Sequence, residues 1–66
     1  MVSKTCINEV KAGNVLFDRG DYQGAMQHYD AALKRDRDHA EAWYNKGVTY
    51  YMLGKKDKAR KSFLSA

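Results

Sequence analysis

Any chemistry in this chain of 66 residues has to come from a short roster: Cys6, His28, His39, Ser62 and eight Asp and Glu. A thiol or hydroxyl becomes a nucleophile only with a base within hydrogen-bond reach, and a metal needs three or four S, N or O ligands converging on one point. Along the sequence these residues stay apart. His28 stands beside Tyr29 on one predicted helix, His39 falls in the first turn of the next, and Cys6 lies about one repeat unit away. No pair has the i, i+4 spacing of a helical zinc site. Gly13, Gly20 and Gly24 follow no strand and lead into no GKS or GKT sequence, so they do not form a phosphate loop. The expectation is a chain that is not an enzyme, with no catalytic residue, no cofactor and no metal.

Two other groups point to binding. Asn14 and Asn45 sit mid-helix, where Lys, Glu or Ala would be better helix formers. Each amide offers a donor and an acceptor, which suits an extended peptide backbone or a terminal carboxylate. The second group is Lys55, Lys56, Lys58, Arg60 and Lys61, five bases around the one acid Asp57, enough to account for the net charge of +4. A nucleic acid or an anionic surface is one reading of that cluster. A solvated helix face is the stronger one, because no aromatic interleaves the bases to stack on nucleotides.

Length and composition bound the elements that must carry these groups. The chain is 44% hydrophobic and 30% charged, a globular balance, and has no proline. The lone Cys6 forms no disulfide within the chain and fits a reducing compartment or a thiol that simply packs. No apolar run approaches the roughly 20 residues that span a bilayer. The expected setting is intracellular, in the cytoplasm, away from membranes.

Four helices are predicted. Tyr22, Ala25, Met26, Tyr29, Ala32 and Leu33 draw one apolar stripe at helical spacing. Asp21 caps that helix, and Gly20 closes the one before it, over about 5 to 19. Asp38 and Glu41 form a capping-box-like pair ahead of a third helix whose core face is Trp43, Gly47 and Tyr50, running to Gly54. The fourth begins at Lys55 and Lys56, where the helix dipole prefers acids, and is expected to fray. A 34-residue offset relates the halves: Gly13 to Gly47, Gly20 to Gly54, Ala25 to Ala59, Ala32 to Ala66, with Tyr29 facing Phe63.

Helix hairpins at this period, with Trp43, Gly47, Tyr50, Ala59 and Phe63 at these intervals, closely resemble the tetratricopeptide repeat (TPR). The first copy matches less fully, with Glu9, Gly13, Leu16, Ala25 and Tyr29 at those places. Lys46 and Lys56 fill usually apolar positions, and Arg37 stands for the helix-ending proline, which implies a looser link between the hairpins. The resemblance implies an all-α fold of two stacked antiparallel hairpins of a right-handed solenoid. The expected division is a tail at 1–5, a first repeat at 6–39 and a second, truncated repeat at 40–66.

The resemblance further implies a concave groove lined by the first and third helices. Its residues would be Val10, Asn14 and Phe17 together with Tyr44, Asn45, Val48 and Tyr51, and its ligand a peptide or helix of a protein partner. In the family, co-chaperones that hold the acidic carboxyl ends of heat-shock chaperones use Lys and Asn from a first repeat, Asn from a second and bases from a third. Asn14 and Asn45 match those amides, Val10 replaces the lysine, and the third repeat is absent. Electrostatic binding through the basic fourth helix, or a purely structural, self-associating unit, are the alternative readings. Uncovered Phe63, Leu64 and Ala66 lead to an expectation of weak association between copies.

Overall fold

The computed structural model describes residues 4–66. They form four helices, α1 (Lys4–Asp18), α2 (Tyr22–Arg35), α3 (Ala40–Met52) and α4 (Lys56–Ser65), and no strand. Of the expected tail at 1–5, residues 4 and 5 belong to α1, and the rest lies outside the described residues. Gly20 and Gly54 have φ of 82° and 78°, the left-handed backbone that ends α1 and α3 at little cost only without a Cβ. Asp21 caps α2 as expected, accepting from the Gly24 amide at 3.0 Å.

Two expectations about helix ends fail. Asp38 does not cap α3; the cap residue is His39, which makes no capping hydrogen bond with its side chain. The cause is Asp36, whose Oδ1 accepts from the Asp38 amide at 3.1 Å while its carbonyl accepts from the His39 amide at 3.3 Å. That turn sets Asp38 one residue too early. The basic start of α4 does not prevent a helix through Ser65 either: Asp57 supplies an acid in the first turn, and Ala59 and Ser62 are buried.

Packing follows the hairpins. α1 lies chiefly on α2 and α3 on α4; α2 joins the hairpins through α3, and among the described helices α4 packs on α3 alone. Cys6, Val10, Ala25, Tyr29, Ala32, Leu33 and Ala42 form the core. Each hairpin seats an aromatic ring of its second helix on a glycine of its first. A Cβ on Gly13 would stand 2.6 Å from the Tyr29 ring, and one on Gly47 would stand 2.6 Å from the Phe63 ring. The two contacts are the same contact one repeat apart. Tyr29 is fully buried, and removing a large side chain of that kind from water contributes about 1.5–3 kcal/mol.

Of the face expected to be buried on the third helix, Gly47 is buried but Trp43 and Tyr50 are not fully so. Ala42 and Thr49 are fully enclosed, whereas Trp43 and Tyr50 are half-buried at the rim. The indole Nε1–H of Trp43 donates to the Arg37 carbonyl at 2.6 Å, pinning the link that lacks proline. A central position would have left that N–H without its partner. Lys46, in a place usually apolar, reaches Asp30 at 2.7 Å and lies over the Trp43 and Tyr50 rings at 5.3 and 5.7 Å. Its stem covers apolar surface while its ammonium is paired. Glu9, at the place where the second hairpin has Trp43, hydrogen-bonds His28 Nδ1 on α2 at 2.8 Å.

Candidate functional site

Between α1 and α3 lies a concavity of about 220 Å³ lined by Asn14, Phe17, Tyr29, Tyr44, Asn45 and Val48. Its floor is a hydrogen-bonded junction. Asn14 Oδ1 accepts from Tyr29 Oη at 2.5 Å and from Asn45 Nδ2 at 3.1 Å, tying α1 to α2 and to α3 through one oxygen. In this arrangement the Asn14 oxygen accepts twice, using both its lone pairs. Among the described residues, Asn14 Nδ2 and Asn45 Oδ1 take no hydrogen bond, so a donor and an acceptor are left uncommitted. Burial, then the charges of Asp18 and Glu41, push the Tyr29 hydroxyl up to about 12, so it stays a donor at every ordinary pH.

The walls are aromatic. Tyr44 is 57% exposed and leans on Phe63, ring centroids 5.6 Å apart, and Phe17 meets Tyr22 edge-on at 5.1 Å. Five of the seven residues assigned to a groove from the sequence, Asn14, Phe17, Tyr44, Asn45 and Val48, line this one concavity. Val10 does not. It is 3% exposed and belongs to the core with Cys6, one turn earlier on the α1 face that meets α2. Tyr51 is exposed, but outside the lining. Tyr29 was read from the sequence only as core; its hydroxyl reaches the floor because a ring seated on Gly13 points its tip at α1.

Two other surfaces have less to offer. A depression of about 700 Å³ lies between α2 and α3, but its Asp30 and Lys46 already pair with each other. The bases Lys55, Lys56, Lys58, Arg60 and Lys61 are all exposed on or beside α4, with Lys58 over the Tyr50 ring at 5.9 Å.

A further cluster corrects in part the expectation that the cysteine and histidines do not assemble, bringing His39 to Cys6 while His28 stays with Glu9. Cys6, Asp36 and His39 each bring one ligand-type atom to within 4.8 Å of the others. The fold causes this, because the start of α1, the end of α2 and the start of α3 meet at the joint between the hairpins. Cys6 is fully buried, with Sγ 3.5 Å from the Ala32 carbonyl. Burial and the Asp36 carboxylate push its thiol above the ordinary 9.0, with Arg35 opposing. His39 Nε2 is shielded from solvent without a hydrogen bond, and leaving such an atom unpaired costs about 1–3 kcal/mol. Apart from the neighbouring Asp36 and His39, no signal along the chain brings Cys6 to this place.

Comparison with known proteins agrees with this architecture. A family model described as TPR repeat matches residues 13–54, and the chain belongs to that family. It is 45% identical over 40 residues to stress-induced-phosphoprotein 1 of Caenorhabditis elegans, covering 61% of this chain and 12% of that protein. It is 30% identical over 53 residues to TPR repeat-containing protein MJ1428 of Methanocaldococcus jannaschii, covering 80% of this chain and 9% of the relative. The chain thus spans about a tenth of these two relatives. TPR repeats generally mediate protein–protein interaction, and the fold described here is of that kind. No helix among the described residues is long and apolar enough to cross a membrane.

Proposed function

We propose that this chain is a non-enzymatic recognition module that holds an extended peptide or partner helix in the concavity between α1 and α3. The observation that supports this most is the pair of uncommitted amide groups, Asn14 Nδ2 and Asn45 Oδ1, of residues that line one concavity with Phe17 and Tyr44. One donor and one acceptor match a peptide unit, and the flanking rings suit its apolar side chains. The resemblance of Asn14 and Asn45 to the paired amides of the co-chaperone clamp makes a peptide ending in acidic residues and a free carboxylate the first ligand to try. So small a concavity limits affinity to about micromolar or weaker, because few side chains offset the ordering of the peptide.

Asn45→Ala and Val48→Glu test the assignment. Asn45 gives the fold a single part-buried side-chain hydrogen bond and Val48 is half-buried, so both variants should keep their helicity. Each should weaken an acidic peptide by about tenfold, roughly 1.4 kcal/mol. Unchanged affinity in both would reject the groove. The alternative site on α4 separates by salt: binding through its five bases would fall steeply between low and physiological salt and vanish on replacing Lys58 and Arg60.

A further inference from the structure

The cluster at the hairpin joint plays no part in the groove, and its composition is that of a metal shell. Cys6 comes from the first turn of α1, Asp36 from the C-terminal cap of α2 and His39 from the N-terminal cap of α3, with ligand atoms within 4.8 Å of one another. A tetrahedral ion with bonds of about 2.0–2.3 Å holds its ligand atoms about 3.4–3.6 Å apart. The approach required is therefore about 1 Å, the scale of a side-chain rotation at two half-buried cap residues, Asp36 and His39. The imidazole bears independent witness: its Nε2 is out of contact with solvent and makes no hydrogen bond, a state that buried polar atoms seldom keep.

We infer that Cys6, Asp36 and His39 form a site for a zinc-class divalent ion, with three protein ligands and a fourth position for water. A thiolate with an imidazole selects zinc or cobalt over magnesium or calcium, which prefer oxygen shells. When the metal–sulfur bond forms, the thiol proton leaves to solvent, and the ion compensates the charge of the thiolate. Because a thiol and an imidazole bind a metal only in their deprotonated forms, loading weakens as the pH falls. The ion would tie together the three segments that set one hairpin against the other.

Cobalt titration of the reduced 66-residue chain is the test, read by the thiolate-to-cobalt charge-transfer absorption, with zinc as competitor and circular dichroism confirming the fold. The expected result is a band that saturates at one equivalent, is displaced by zinc, and accompanies a raised melting temperature. Cys6→Ser should abolish the band, His39→Gln and Asp36→Asn should each weaken binding by at least about tenfold, and His28→Gln should leave it within about twofold. No band on the folded wild-type chain overturns the site, whatever the variants do. So does binding that is lost in His28→Gln and kept in His39→Gln.

Discussion

At the scale of single residues, the packing of each hairpin turns on what stands against its ring. Gly13→Ala drives a methyl to 2.6 Å from a Tyr29 ring that is 1% exposed and tied to Asn14, so the ring has nowhere to go. Overpacking of about 1–3 kcal/mol should outweigh the roughly 1 kcal/mol gained in helix propensity, a net loss measurable by urea denaturation. Gly47→Ala meets Phe63 at the same distance, but that ring is 40% exposed and has room to give way on its solvent side. Its effect should stay within about 1 kcal/mol of zero. Tyr29 also sets an alkaline limit. Its folded value of about 12 lies above the ordinary 10.0, so the contribution is whole below pH 10 and is lost as the pH rises through 12. Unfolding followed across that range should show a fall of about 2–3 kcal/mol that is absent in Tyr29→Phe. The glycines and Tyr29 were legible because a 34-residue offset repeats them. The Cys6, Asp36 and His39 cluster was not, because 30 residues of chain separate Cys6 from Asp36 and only the hairpin closes that distance.

At the scale of elements, helix existence was legible and helix phase was not. The stripe of α2 reads directly from its spacing because one face of that helix meets both α1 and α3. α3 is pressed by α2 on one side and α4 on another, which enclosed Ala42 and Thr49 and left Trp43 and Tyr50 at the rim. Aromatic size pointed to the wrong residues as the centre. The caps give a direct comparison: Asp21→Ala removes the bond to the Gly24 amide and should cost about 1 kcal/mol, whereas Asp38→Ala should cost within about 0.5 kcal/mol because Asp36 holds that turn. Equal losses in thermal melts of the two variants would contradict the assignment of α3's start. The link itself is firmer than its missing proline suggested, since the Trp43 indole and the Asp36 turn both hold it.

At the scale of the whole molecule, the body is a slab of 32 × 26 × 13 Å, so few residues are enclosed on all sides. Met52, Phe63 and Leu64 are 49%, 40% and 81% exposed, beside the basic surface of α4. Sedimentation should show a monomer when dilute and weak association at high concentration, promoted by salt because added ions screen Lys55, Lys58 and Lys61. A strict monomer at millimolar concentration and high salt would contradict that expectation. The proposed recognition site is the concavity where α1 and α3 bring Asn14, Phe17, Tyr44, Asn45 and Val48 together. The most direct measurement is a nitrogen–proton correlation spectrum of the labelled chain titrated with an acidic peptide bearing a free carboxylate. The side-chain amides of Asn14 and Asn45 and the backbone amides near Phe17, Tyr44 and Val48 should shift first and saturate together. Shifts confined to α2 and α4, with both asparagine side chains unmoved, would contradict the groove.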